Sequence, residues 1–129
     1  MIKKIRNVKI IGTGSYAPEQ IYTNEYICTF VDSQPDWIYN TLGIKQRHIA
    51  QDDECTSDLA EGAARRAISM AGLSVDDIDL IIVATTTPDR IAPSTACIVQ
   101  EKIGAFNAAA FDLNAVCSGF LYASTVASQ

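Results

Sequence analysis

Histidine is nearly absent from this 129-residue sequence: His48 is its one imidazole. Four cysteines stand at positions 28, 55, 97 and 117, with no CxxC pair and no histidine at metal-ligand spacing, so no structural zinc and no redox dithiol is expected. Basic residues are too few for a nucleic-acid surface. Ten Lys and Arg stand against fifteen Asp and Glu, a net charge of −5, and the cations are scattered rather than interleaved with aromatics. Long apolar runs are lacking as well, and none approaches the roughly 20 residues that cross a bilayer. Lys3, Lys4 and Arg6 precede only Val8 to Ile11, which is too brief for a secretion signal. Without a leader to an oxidising compartment, the cysteines read as reduced thiols of a cytoplasmic protein. The glycines of GTGSY, residues 12–16, match neither GxGxxG nor a GK[ST] ending, so a turn with close backbone packing is expected there rather than a phosphate loop.

What is present is apolar content, 48%, enough for one globular unit over residues 1–129 with a real core. The pattern is α/β. Asn7 to Gly14 reads as a first strand. Thr23, Asn24 and Glu25 form the cap and acidic first turn of a short helix running to about Val31, and Ser33 with Asp36 resembles the capping box of the next, which carries Trp37. Gly43 to Ala50 is irregular or strand-like. Thr56 caps a helix over Ser57 to Ala71 whose alanines make a small-residue stripe ending at Gly72, a surface suited to close packing. Leu80 to Thr85 is nearly unbroken apolar sequence, the mark of a central strand covered on both faces, with Thr85 to Asp89 at its carboxyl edge. Pro93 and Ser94 open a helix that stops before Gly104 and carries Cys97 on its packed side.

The sequence is organised around Ala108 to Ala123, AAAFDLNAVCSGFLYA. Phe111 to Ala115 alternates as a short strand does, and an apolar helix follows from Cys117. At a strand-to-helix turn the first amides of the helix and the positive end of its dipole favour an anion, so a thiolate would be stabilised there. Gly119 leaves room for a substrate, and a nearby N–H could hold an oxyanion. Cys117 is therefore a candidate nucleophile. The competing reading is a small buried hydrophobe, which is what most free cysteines are. Asp112 and Asn114 read as structural hydrogen-bonding groups.

FDLNAVCSGF resembles the nucleophile segment of the ketoacyl-ACP synthase III family, within the thiolase-like superfamily. VKIIGTGSYAPEQIYTNEY, VDSQPDWI, GIKQRHIA, LIIVATTTPD and PSTACIVQEKIG resemble that family's stretches in the same order, so the likeness runs through essentially all of the sequence. The resemblance implies the N-terminal half of a thiolase-like αβαβα layered fold, interrupted within the nucleophile helix. That interruption would suit a proteolytic product, a designed piece or one subunit of a split enzyme. It implies that Cys117 takes an acyl group as a thioester, that a decarboxylated malonyl unit on acyl carrier protein attacks it, and that a 3-oxoacyl product of fatty acid biosynthesis leaves. Acyl-CoA or acyl-ACP enters as substrate, with no bound cofactor and no metal. The catalytic histidine and asparagine come, in the family, from the half beyond the nucleophile, so His48 is expected to be structural or superficial.

Two binding positions are also implied. The family's tryptophan at the position of Trp37 stacks on the adenine of coenzyme A. Four residues later the family typically carries Arg-Thr, where this chain has Thr41 and Leu42, which favours an acyl group delivered on a carrier protein. A large aromatic residue often precedes the family's proline here and closes the acyl pocket of the partner in a homodimer. Ala92 stands in its place, which implies a roomier pocket. The expected partners are acyl carrier protein, a second copy of the chain and the C-terminal half of the fold, with neither nucleic acid nor membrane. Two alternatives stay open: an acyltransferase or condensing enzyme of secondary metabolism, and a non-catalytic module that needs a second chain.

Overall fold

The computed structural model describes residues 8–129. They form two compact units, a small one over 17–54 and a larger one that joins the segment ending at Tyr16 to Cys55–Gln129.

In the small unit, β1 (Gln20–Thr23) pairs antiparallel with β2 (Gln46–Ile49), in a register that sets Tyr22 opposite Arg47. Between them lie α1 (Asn24–Ile27) and α2 (Pro35–Leu42). Thr23 caps α1, its hydroxyl accepting the Tyr26 N–H at 3.3 Å. Helix α1 ends at Ile27, earlier than its pattern suggests, and Val31 N–H still reaches Ile27 O in the turn beyond. Helix α2 is not opened by a Ser33 box. Gln34 is its N-cap without a side-chain bond, and Pro35 starts it, since proline has the right φ and lacks the N–H that a first helical residue cannot pair. The 43–50 passage is partly strand. Buried Asn24 joins it to α1, donating to Ile44 O at 2.8 Å while its own carbonyl accepts from Arg47 at 3.1 Å.

The larger unit is built on two parallel strands, β3 (Leu80–Ala84) and β4 (Ala109–Leu113). Helix α3 (Thr56–Ala71) and α4 (Thr95–Ile103) cover one face. Val99, Ile103, Ala105 and Ala108 form the buried centre, and Ala60, Ala64, Ile68, Ile81 and Val83 pack around it. Leu80, Ile82 and Ala84 point the other way. They face α5 (Gly119–Ala127) across a groove of about 500 Å³. The expectation that Leu80 to Thr85 is covered on both faces is met in part: the α3 and α4 layer lies on one face and α5 on the other, yet Leu80 and Ala84 stay exposed, Leu80 at 36%.

Residues 8–14 are not a strand; Asn7 lies outside the described residues. The segment instead lays its backbone along the alanine stripe of α3. A Cβ on Gly12 would come within 2.3 Å of Ala67 O, and one on Gly14 within 2.1 Å of Ala63 O. Thr13 donates its N–H and hydroxyl to Met70 Sδ at 3.3 and 3.4 Å. The stripe therefore serves two neighbours, with Ala60 and Ala64 turned to the core and Ala63 and Ala67 to this glycine segment. Helix α3 also starts one residue earlier than its cap suggests. Cys55 is the N-cap, its N–H bound to Asp58 Oδ2 at 2.8 Å, while the Thr56 hydroxyl donates to Thr87 O at 2.6 Å. Helix α4 opens at Thr95, two residues after Pro93, with Ser94 as its N-cap, and Gly72 and Gly104 end α3 and α4 with left-handed φ of 67° and 84°.

Candidate active site

The carboxyl ends of two parallel neighbours place their following loops on one edge of the sheet. After β3 comes the loop with Thr85 to Asp89 and Ala92; after β4 comes the turn with Cys117. Thr85 extends the ladder by one bond, its N–H donating to Leu113 O at 3.1 Å.

Most polar groups of the first loop are engaged by the protein itself. Asp89 Oδ1 accepts the N–H of buried Ser57 at 2.9 Å, and Asp89 N–H donates to the hydroxyl of buried Thr95 at 3.0 Å. From β4, Asp112 accepts Thr95 N–H through Oδ2 and Ala96 N–H through Oδ1, each at 2.8 Å. Carboxylates on unpaired amides at a helix start satisfy donors and complement the dipole. Asp89 and Asp112 thereby pin the amino ends of α3 and α4 to the sheet edge. Asp112 is structural, as its place in an apolar strand suggests.

Cys117 lies in a single 3-10 turn, Val116–Ser118, just before α5. The turn is closed by Ser118 N–H to Ala115 O at 2.9 Å and by Gly119 N–H to Val116 O; the Cys117 N–H belongs to neither bond. Gly119 is buried, and a Cβ there would stand 3.1 Å from the Ala84 side chain, so glycine lets α5 meet β3 closely. The helix begins two residues later than its sequence suggests, and this leaves Cys117 exposed on the turn. Val116, the residue before it, has φ 47°, the one non-glycine positive φ among the described residues.

Cys97 is a different kind of thiol. It is half-buried on α4, accepts from the Ser94 hydroxyl at 3.2 Å and lies 3.7 Å from Ala110 O, which fits its packing role. Ala92 is exposed and precedes Pro93 through a cis peptide bond. Trp37 belongs to the small unit, on α2, with its indole 55% exposed. His48 stands on β2 with Nδ1 2.5 Å from Pro18 O, a local backbone contact. Among the described residues no group of His, Cys, Asp and Glu could hold a metal ion, and no helix is long and apolar enough to cross a membrane.

Phe120, Leu121 and Tyr122 are 70%, 68% and 59% exposed, although helix α5 is apolar all round. The side carrying Gly119, Ala123 and Ala127 lines the groove against β3, while Tyr122 and Val126 line a second one with residues 113–115 at the end of β4.

Comparison with known proteins agrees with this architecture. The chain is 57% identical over 122 residues to the β-ketoacyl-[acyl-carrier-protein] synthase III of Thiobacillus denitrificans, and 57% identical over 125 residues to that of Clostridium acetobutylicum; these matches cover 94% and 97% of the chain. Among solved structures, 3-oxoacyl-[acyl-carrier-protein] synthase III from Aquifex aeolicus superposes with a TM-score of 0.88 at 45% identity, covering 94% of this chain and 39% of that one. The priming β-ketosynthase of the R1128 polyketide pathway also gives 0.88, at 36% identity, covering 99% and 38%. No family model matches. Fold and sequence together define the class, an α/β chain of thiolase-like fold. Within that class it corresponds to a segment of β-ketoacyl-[acyl-carrier-protein] synthase III, and it spans 38% of the length of the curated relatives it matches.

Proposed function

We propose that this chain carries the acyl-accepting half of a 3-oxoacyl-[acyl-carrier-protein] synthase III reaction, with Cys117 as nucleophile. The observation that carries the reading is the exposed thiol on the turn between parallel β4 and α5, within sequence 57% identical to synthases of that name. In the proposed first step the Cys117 thiolate attacks the carbonyl carbon of an acyl thioester. The new C–S bond forms as the donor's C–S bond breaks, and the donor thiol leaves with a proton. In the second, malonyl-ACP loses carbon dioxide and its carbanion attacks the acyl-enzyme, releasing 3-oxoacyl-ACP and restoring the thiol. The histidine and asparagine of that second step are assigned, by the family resemblance, to sequence beyond the nucleophile; His48, on β2 with Nδ1 2.5 Å from Pro18 O, is not given that role.

Trp37 is proposed as a stacking surface for the adenine of a coenzyme A donor, its exposed indole on α2 being suited to that contact. Thr41, one turn further along the same helix, offers no cation for phosphate, so the carrier-protein thioester is the favoured donor. Ala92 is proposed to leave space for acyl groups longer than acetyl. The partners in this reading are acyl carrier protein and a second copy of the chain, in the cytoplasm. Thr41, Ala92 and the likeness to a polyketide priming ketosynthase favour a second reading, priming or acyl transfer in secondary metabolism.

Intact-mass measurement after incubation with acyl-CoA and acyl-carrier thioesters tests the proposal. An acyl adduct that disappears in Cys117→Ala is the expected result, and its preferred donor separates coenzyme A from carrier protein. Release of 3-oxoacyl-ACP with malonyl-ACP present separates condensation from transfer to another acceptor. A chain that never acylates but associates through its exposed α5 face would replace both readings with a non-catalytic module.

A further inference from the structure

Charge is unevenly divided between the two units. Residues 17–54 hold seven Asp and Glu against Lys45 and Arg47, a net charge of −5, while the rest of the sequence balances eight acidic residues with eight basic ones. The whole negative excess therefore belongs to the small unit. Three aromatic rings stand in file on that unit. Tyr22 and Tyr26 meet edge to face with centroids 4.5 Å apart, and Tyr26 meets Phe30 in the same way at 5.6 Å. These rings are not core: Tyr26 is 49% and Phe30 61% exposed, and Val31 beside them is exposed too. Gln20 Nε2 donates to the Tyr22 hydroxyl at 3.2 Å, so the first ring is fixed by a hydrogen bond as well as by its neighbour. Tyr22 also lines a groove of about 550 Å³ with Asp52 and Asp53, two exposed carboxylates that form no ion pair among the described residues. A ring face and carboxylates on one groove attract a cation twice, through the ring quadrupole and through Coulomb attraction. The same unit shows that arrangement filled by its own side chain: Lys45 Nζ lies 5.8 Å from the Tyr39 centroid, in a hollow lined also by Glu25 and Asp36. Arg47, opposite Tyr22 on β2, instead turns its guanidinium to Asn24 Oδ1 at 3.1 Å.

We propose that the groove of Tyr22, Asp52 and Asp53, with the ring file beside it, is a docking surface for a basic polypeptide segment: an arginine enters the groove and an apolar neighbour covers Tyr26 and Phe30. A guanidinium is planar, so it stacks on a tyrosine face while its N–H fork pairs with a carboxylate at the edge. Charge complementarity selects the occupant. The excess of five negative charges on 38 residues repels acidic partners and draws basic ones. The exposed rings select a polypeptide over a free polyamine, which has no side chain to lay across Tyr26 and Phe30. Rings already fixed by one another and by Gln20 lose little freedom on binding. The surface lies wholly within residues 17–54 and does not depend on the reading of Cys117.

Fluorescence anisotropy of a labelled peptide of Arg-Leu-Gly repeats, with a Glu-Leu-Gly peptide as control, tests the proposal on the full chain. The arginine peptide is expected to bind and the glutamate peptide not to. Asp52→Asn combined with Asp53→Asn should weaken binding about tenfold, and Tyr22→Leu about threefold. Because Tyr22 belongs to β1, Phe30→Ser, outside any helix or strand, serves as a second variant and should also weaken binding about threefold with an unchanged thermal midpoint. Asp76→Asn combined with Glu101→Gln makes the same change of charge on the larger unit and should leave binding within about twofold of wild type. Equal losses in the two charge pairs would show that the peptide follows net charge alone and overturn the docking surface. Wild-type binding in both Tyr22→Leu and Phe30→Ser overturns it as well, as does a wild-type chain that ignores the arginine peptide. Spermidine that displaces the peptide at matching concentration overturns the polypeptide occupant in favour of a free polyamine.

Discussion

The carboxylate of Asp112 accepts the backbone N–H of Thr95 at 2.8 Å, a bond from the middle of one strand to the first turn of a helix seventeen residues earlier. Its other oxygen takes Ala96 N–H at the same distance, so one side chain satisfies two of the amides that α4 cannot pair internally. Thr95 is fully buried and the pair is shielded, which makes the bonds worth more than an exposed cap. Replacing Asp112 by alanine should cost about 2–3 kcal/mol, and by asparagine roughly half of that, since one acceptor remains. Urea unfolding of the two variants checks the order. Equal losses would mean that charge, not hydrogen-bond number, holds the helix.

Cys117 should be nearly neutral for stability. Its side chain is exposed, so Cys117→Ala is expected to change unfolding free energy by no more than about 0.5 kcal/mol while removing all acyl adduct. Parallel denaturation and mass measurements read both effects from one preparation.

Asp58 and Lys102 link α3 to α4 by an ion pair about one third exposed on each side. The hydrogen bond from Lys102, then that from the Cys55 amide, holds the Asp58 carboxyl below its ordinary range; the bond to Asp58 raises the Lys102 ammonium above its own. A lowered carboxylate contributes stability that is present above its unfolded pKa and lost as pH falls through the folded value. A raised ammonium contributes stability that is present below its unfolded pKa and lost as pH rises through the folded value. The pair should therefore support the fold across neutral pH and weaken at both extremes. Solvent screening limits the effect to about 0.5–1 kcal/mol. Lys102→Met should reduce stability at pH 7 by that amount and flatten its acid and alkaline decline, read from thermal midpoints across pH.

Gly14 and Gly43 separate two reasons for glycine. At Gly43 a Cβ meets nothing within 4 Å but φ is 71°, so alanine should cost about 1 kcal/mol in backbone strain. At Gly14 a Cβ would strike Ala63 O, so alanine should force the 8–16 segment off α3 and cost about 2–3 kcal/mol. Proteolysis within that segment should quicken in Gly14→Ala alone.

Element ends were legible wherever local chemistry sets them. Thr23 and Ser94 carry hydroxyls that cap helices, Gly72 and Gly104 supply left-handed ends, and the apolar run from Leu80 announces a parallel strand. The place of Cys117 at a strand-to-helix turn was legible too, since a strand with an embedded polar residue, a short turn and an apolar helix form a local pattern. Val116 was not, because nothing in a valine marks a left-handed backbone. The stretch before GTGSY misled in part: Val8, Ile10 and Ile11 suggest a strand that does not form, while the close backbone packing expected of GTGSY is found where Gly12 and Gly14 lie against α3.

Sequence by itself determined the parallel α/β pattern, the caps and the place of the nucleophile candidate, because these follow from propensity, periodicity and side-chain chemistry within a few residues. Tertiary structure alone decided that Asp89 and Asp112 bind helix amides, that α3 divides its alanines between two neighbours, and that the Val116 turn leaves Cys117 exposed. Each of these depends on atoms brought together from distant parts of the chain, where the geometry is set by packing rather than by local preference.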